Sequence, residues 1–346
     1  MKAFLIAAAL MALPFAAQAD TYKGKTAYAE ITPEAQVARL GAGINIIGGY
    51  DPWWKDGETK FREKDIEEAA KAGFTHIRVP LFAFDHLTAE GKLTPAYLKK
   101  IDTVIDLAAA QNLDVILDVH MFEYCAKNVD SCADKLASTW YELSEHYRDA
   151  PNSVVFELLN EPNGQVDDAI WNAWVPDLIS IIRETNPTRN VVVGPTLWNS
   201  IDKLAVLQLP ANDRHLIATF HYYSPFPFTH QGASWAPADI MALKDVRWTG
   251  KPEEVAAINA DFDKVVTWSK ANKRPILLGE YGVYGLNARM EDRVAWTKAV
   301  SKAADDRGFA RAYWYWDGGA TSFGVWDQDK RQWVKPIRDA LVPKGK

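Results

Sequence analysis

Eight short apolar runs, separated by amphipathic stretches, constrain this chain more than any other feature. Strand-like runs lie at 40–46, 75–79, 114–119, 153–159, 190–193, 215–221, 275–278 and 311–316. Helical spacing marks 63–72, 95–112, 136–147, 170–185, 253–272 and 290–306 between them. Gly73 and Asn112 stand just past two of these helices, residue types that readily take the left-handed conformation ending a helix. Eight strands with intervening helices over about 300 residues match an α/β single domain of the (β/α)8 TIM-barrel type in count and size. A doubly wound open sheet fits less well, because no Gly-rich nucleotide loop follows the first strand. Only the connection 224–252 is long and irregular, and it reads as a decorated loop rather than a second domain.

The ends of the chain and its charge narrow the setting. Residues 1–19 read as a secretory signal: Lys2 is the positive end, 4–13 the apolar stretch, and Ala17-Gln18-Ala19 the small-residue cleavage site. The apolar stretch is too short for a membrane anchor and ends in Pro14. The expected domains are therefore 1–19, a leader, and 20–346, one catalytic domain, in a secreted or periplasmic protein. A formal charge of −6 without a basic cluster argues against nucleic acid or an anionic membrane as partner. Export makes the only two cysteines, Cys125 and Cys132, a plausible disulfide, with two free thiols the alternative.

Two glutamates carry the chemistry. Glu161 sits in Asn160-Glu161-Pro162, after the run 153–159, and Glu280 sits in Gly279-Glu280-Tyr281-Gly282, after 275–278. Each stands where a buried strand breaks into a loop, a costly place for an uncompensated charge. Two carboxyls at equivalent positions of a fold that repeats strands suggest one site, of the kind in which an acid and a carboxylate flank a glycosidic bond. Barrel enzymes keep their catalytic groups at the carboxyl ends of strands. Those ends give Arg78, His120, Asn160 with Glu161, His221 with Tyr223, Glu280, and Trp314 or Trp316. All can hydrogen-bond to a sugar or stack on it. Aromatic residues in loop-like segments, Trp53, Trp54, Trp198, Phe226, Phe228, Trp235 and Trp248, could form stacking walls or merely cap the core.

Taken in order, Ile77-Arg78-Val79-Pro80, Asp118-Val119-His120, Leu159-Asn160-Glu161-Pro162, His221-Tyr222-Tyr223, Gly279-Glu280-Tyr281-Gly282 and Trp314-Tyr315-Trp316-Asp317 resemble glycoside hydrolase family 5, the cellulase-type branch of retaining barrel glycosidases. The resemblance spans roughly 38–340. It implies Glu161 as general acid/base and Glu280 as nucleophile, with repulsion between the two holding a proton on Glu161. It implies that Arg78 and Tyr223 keep Glu280 ionised and oriented, and that Asn160 contacts the sugar 2-hydroxyl. His120 and His221 would line the cleavage subsite, and a strand-eight tryptophan, Trp314 in preference to Trp316, would stack beneath the ring. Strand alternation would put both tryptophans on one face.

Other polar residues fit structural roles. Glu157 shares strand parity with Glu161 and should pair with a basic group such as Arg78; Asp118 reads as structural and Glu123 as solvated. His76, His86, His146, His215 and His230 read as packing or surface residues, and no His pair has zinc-site spacing, so neither metal nor cofactor is expected. The chain thus reads as an exported, monomeric endo-β-1,4-glucanase acting on a β-glucan polysaccharide or oligosaccharide. A β-mannanase is the nearest alternative, then a xyloglucanase, licheninase or exo-β-glucosidase, since fold does not choose among them. A non-catalytic carbohydrate-binding barrel would be expected to lack one of the two glutamates.

Overall fold

The structure, a computed structural model, describes residues 21–24, 26–46 and 62–342. The expected leader at 1–19, and Trp53 and Trp54 with the loop expected around them, lie outside the described residues. Eight strands run parallel: β1 (Ala42–Asn45), β2 (His76–Leu81), β3 (Asp114–Val119), β4 (Val154–Glu157), β5 (Val191–Val193), β6 (Leu216–Tyr222), β7 (Ile276–Tyr281) and β8 (Ala310–Tyr313). Each pairs with the next, and β1 also pairs with β8 through Ala42 with Arg311 and Ile44 with Tyr313, which closes the barrel. Every residue of β2 to β8 is buried, as parallel strands covered on both faces must be.

The expected helices are present within a few residues, at Glu63–Ala72, Pro95–Ala110, Val129–His146, Asp168–Arg183, Pro252–Asn272 and Met290–Asp305. No helix among the described residues is long and apolar enough to cross a membrane. Among the helices not anticipated, one bears on the barrel itself. Pro33–Leu40, capped by the Thr32 hydroxyl, places Val37 and Leu40 against Ile116, Val155, Val192, Ile217, Leu277 and Ala310. Those six come from six consecutive strands, so this helix plugs the amino-terminal end of the barrel over an apolar inner layer. Above that layer the inward positions turn polar: β3 carries Ile116, then Asp118, then His120. The barrel is sealed below and chemically equipped above.

Two details fix loops at opposite ends of the barrel. Arg189, buried before β5, donates to the carbonyls of Pro151, Val154, Tyr147 and Ala150, gathering the loop that starts β4. Cys125 and Cys132 are joined by a disulfide, with Cα atoms 5.0 Å apart, in the loop after β3. That loop lies on the loop after β4: the Gln165 amide donates to the Ala126 carbonyl at 3.0 Å.

Strand eight departs from expectation. It ends at Tyr313, so alternation does not carry on to Trp316. The Trp316 amide instead donates to Asn45 O at 2.9 Å, and its indole packs between Trp326 and Trp333, fully buried. Trp316 belongs to the core under the carboxy-terminal hairpin and does not reach the cleft. In the connection 224–252, Phe228 and Trp248 are also core residues, whereas Phe226 and Trp235 are exposed.

Gly43 shows how tightly the lower barrel is filled. A Cβ there would lie 2.2 Å from the ring of buried His76, whose Nδ1 bonds Leu40 O at 2.6 Å. Gly43→Ala must therefore displace that ring and is expected to destabilise the fold by about 1–3 kcal/mol, the usual range for overpacking. Urea unfolding measures it; an unchanged midpoint would show that the ring has room to move.

Candidate active site

One guanidinium organises the upper barrel. Arg78, from β2, is fully buried and meets Glu157 in a two-pronged pairing, Nε to Oε2 at 2.7 Å and Nη2 to Oε1 at 2.9 Å. Its Nη1 donates to Asn45 Oδ1 at 2.8 Å and to Glu280 Oε1 at 3.0 Å. Its Nη2 also reaches Asn160 Oδ1 at 2.8 Å and Asp118 Oδ2 at 3.0 Å. Five strand ends thus converge on one cation, and a planar fork fits this role where an ammonium would not. The surrounding carboxylates hold its proton far more tightly than usual, against the cost of burial.

Glu280 has both oxygens engaged. Oε1 takes the Arg78 bond, and Oε2 accepts from the Tyr223 hydroxyl at 2.9 Å. Burial raises its pKa, Glu161 adds to the rise, and His221, Arg78 and His120 oppose it. Glu161 is held more lightly. Its backbone is left-handed at φ 44°, its carbonyl accepts from Asn163 Nδ2 at 2.8 Å, and its Oε1 meets His221 Nδ1 at 2.7 Å. Burial is the main cause that lifts its pKa to about 7; His120 and Arg78 pull the other way. Desolvation, rather than the expected repulsion by Glu280, therefore leads in keeping the proton on Glu161.

His221 stands between the two acids, its Nδ1 also 3.6 Å from Glu280 Oε2. Glu161, His221 and Glu280 each bring one oxygen or nitrogen within 4.8 Å of the others, close enough to share a cation among the described residues. Burial lowers the His221 pKa to about 4, so its ring is neutral near pH 7. His120 behaves oppositely. Burial disfavours its charge, but Asp118 Oδ2 at 2.6 Å from Nδ1 outweighs that and the net shift is upward. Trp314 stacks on His120, 5.6 Å between centroids and 10° between planes, with its own ring half-buried at the cleft.

The structure thus brings together Arg78, His120, Asn160, Glu161, His221, Tyr223, Glu280 and Trp314. Trp198 is half-exposed on the rim, with its amide 3.4 Å from Pro162 O, next to Glu161. The expected pairing of Glu157 with Arg78 is present, and burial raises the Glu157 pKa to about 7. Sequence reading missed Asn45, whose Nδ2 binds Gly279 O at 3.0 Å while its Oδ1 receives Arg78. As the last residue of β1, it could have been found by reading that strand end like the others. His230 was assigned to packing; it is buried against Phe226 and the Tyr223 ring, 5.0 Å from the latter, and so backs a residue that touches Glu280.

Residues 37–320 match the family model described as Cellulase (glycosyl hydrolase family 5). Endoglucanase H of Acetivibrio thermocellus is 28% identical over 326 residues, covering 91% of this chain and 34% of its own length. The chain therefore spans only about a third of that relative. A solved hyperthermophilic endo-beta-1,4-glucanase in complex with substrate superposes with a TM-score of 0.84 at 31% identity, over 91% of this chain and 100% of that one. Thermotoga maritima Cel5A in complex with mannotriose does so at 0.83 and 30%, over 90% and 100%. With this carboxylate pair at the strand ends of a closed barrel, and a match running through all eight strands, the chain belongs to glycosyl hydrolase family 5, the cellulase family.

Proposed function

We propose that this protein is a retaining endo-β-1,4-glucanase that works by double displacement. The observation that carries the reading is the spacing of the acids: an oxygen of Glu161 and an oxygen of Glu280 lie within 4.8 Å. That separation suits direct attack by a carboxylate and is too short to hold a water between the acids and the sugar, as inversion requires.

Each side chain then has a task. Glu280, fixed through both oxygens, attacks the anomeric carbon while Glu161 gives its proton to the departing glycosidic oxygen. The glycosyl-enzyme forms, and the now ionised Glu161 takes a proton from the water that attacks it in turn. Arg78 and Tyr223 stabilise the carboxylate that Glu280 becomes again when it leaves. Asn160 is placed to meet the sugar 2-hydroxyl, His120 to line the same subsite, and Trp314 to stack beneath the ring. The half-exposed Trp198, beside the acid, offers a stacking face to the leaving portion of a longer chain. An extended glycan, endo action and monomeric work fit this open rim.

The substrate reading rests on relatives named endoglucanases, and the solved mannotriose complex favours β-mannan as the second reading. The leader at 1–19 and the Cys125–Cys132 bridge support export to the periplasm or beyond. The chemistry asks for no cofactor.

Three outcomes test this. On a soluble β-1,4-glucan, wild type should cut viscosity far faster than it releases reducing ends, and Glu280→Gln should lose at least about 10³-fold in turnover. Turnover confined to a soluble mannan would move the substrate and keep the mechanism; equal activity in the mutant would sink the assignment of Glu280. kcat/KM should fall as pH rises through about 7, because only protonated Glu161 can donate. Its acid limb should lie above the ordinary glutamate range, because the pKa of Glu280 is raised.

The third outcome is a stability difference. Folded Glu161 binds its proton more tightly than the unfolded chain does, so wild type loses stability as pH rises from the ordinary glutamate pKa through about 7. Glu161→Gln does not titrate and should be more stable than wild type by about 1–3 kcal/mol at pH 8. Near pH 4 most of that gain should vanish. Guanidinium unfolding at both pH values decides, and an equal gain at both would refute the raised pKa.

A further inference from the structure

Three consecutive residues after β5 adopt a conformation that side chains resist. Leu197 (φ 56°, ψ 53°), Trp198 (φ 57°, ψ 46°) and Asn199 (φ 55°) are all left-handed and none is glycine. Asparagine tolerates that region; leucine and tryptophan do not favour it, so the surrounding structure must hold them there. The run turns Trp198 outward and drives Asn199 inward until it is fully buried. There Nδ2 lies 3.2 Å from Nε2 of His221, the ring whose Nδ1 meets Glu161 Oε1 at 2.7 Å.

Two glycines make room for this pair. A Cβ on Gly194 would lie 2.1 Å from Asn199 Oδ1, and a Cβ on Gly279 would lie 2.9 Å from His221 Nε2. Asn199 Oδ1 has no hydrogen-bond partner among the described residues. A buried amide that leaves its oxygen unsatisfied, on a strained turn, over a position where only glycine fits, is an expensive arrangement whose one polar contact is His221.

With Nδ2 turned to the ring, the amide donates, which makes Nε2 the bare nitrogen of the neutral ring and leaves the proton on Nδ1. The groups facing His221 agree. Glu161 from the end of β4 and Glu280 from β7 present carboxyl oxygens to Nδ1, while Arg78 from β2, Asp118 and His120 from β3 and Tyr223 from the end of β6 stand around them. With the proton on Nδ1, His221 donates to Oε1 of Glu161 and leaves Oε2 to carry the acid proton toward the glycosidic oxygen. The opposite tautomer would offer a lone pair to Glu161, and the acid proton would turn to the histidine instead of the substrate.

We propose that Asn199 is a positioning residue that fixes the tautomer of His221 and thereby keeps the proton of Glu161 aimed at the leaving group. The inference rests on the reading of this chain as a glycosidase with Glu161 as its acid. Neither Asn199 nor Gly194 touches the sugar in this account.

Nitrogen-15 NMR of histidine-labelled wild type and Asn199→Ala tests the claim without substrate. His221 in wild type should show a protonated Nδ1 and a bare Nε2, and the substitution should shift it toward the other tautomer. A protonated Nε2 in neutral wild-type His221 would overturn the proposal. Kinetics supply the second arm, on proteins whose melting temperatures confirm folding. Asn199→Ala should lower kcat about tenfold on an aryl cellobioside with a poor leaving group, a fraction of what acid catalysis supplies. On a dinitrophenyl cellobioside, whose leaving group needs no proton, it should stay close to wild type. Equal losses on both would indicate general disruption and reject the role. Asn199→Asp places a carboxylate beside Nε2, which favours a doubly protonated ring. That cation beside Glu161 should move the alkaline limb of kcat/KM down by about one pH unit or more; an unmoved limb would count against the coupling. Should wild type cleave no β-glycan, the glycosidase reading fails, and the NMR result still stands or falls by itself.

Discussion

The site depends on a single buried cation. Arg78 lies beyond reach of water yet is bonded to Glu157, Asp118, Glu280, Asn45 and Asn160. Burying one guanidinium among three carboxyls is costly, and the cost is offset only because nearly every donor finds an acceptor at good distance. The consequence is geometric. Removing any one partner leaves charge unpaired in a dry interior, so the ends of β1, β2, β3, β4 and β7 are locked into one mutual arrangement. A parallel barrel makes this possible, since all its strands bring their carboxyl ends to one face.

From that arrangement follows the difference between the two acids. They share a neighbourhood, and burial pushes both upward, yet their partners differ. Glu280 has a cation on one oxygen and a hydroxyl on the other, both of which favour the ionised, immobile form. Glu161 has one bond from a neutral imidazole and stands at the outer edge of the network, on a left-handed residue of the loop. A carboxyl with few charged donors keeps its proton when water is withdrawn; one gripped by Arg78 resists doing so. The contrast between the two carboxyls is therefore a property of what each oxygen touches rather than of sequence position.

Much of this was legible in the chain. The eight strands and the strand-end residues follow from apolar runs broken by Pro, Gly and Asn, because burial on both faces forces such runs and barrel chemistry sits at their ends. Even the Glu157–Arg78 pair could be read from parity. Three kinds of information were not there to read. Trp316 looked equivalent to Trp314 by alternation, but the strand stops at Tyr313 and the chain turns the second indole into the core. Helix Pro33–Leu40 precedes the repeating pattern; Thr32, Pro33 and Gly41 mark its ends, but its place as a plug shows only in the inner residues it covers. Asn199 lies in a turn whose left-handed geometry no leucine or tryptophan would suggest. For Trp316 and the turn at 197–199, tertiary packing overrides a local preference, which sequence periodicity cannot register.

The same contrast separates what this scaffold fixes from what it leaves adjustable. Around Arg78 the polar groups are committed to one another and cannot change singly without stranding a charge. On the rim, Trp198, Phe226 and Trp235 are exposed by 40% or more. Trp235 rests edge-on against Tyr284, 4.9 Å between centroids, and Phe226 lies flat on His230 at 4.0 Å. Exchanging such a side chain alters a stacking surface at little cost to the barrel, because few buried contacts are lost with it. The rim can therefore vary while the network around Arg78 stays constant below, and the left-handed turn at 197–199 is the place where the two meet. Its middle residue faces the rim and its last residue faces His221 beside Glu161, so a change in that turn cannot alter one without disturbing the other.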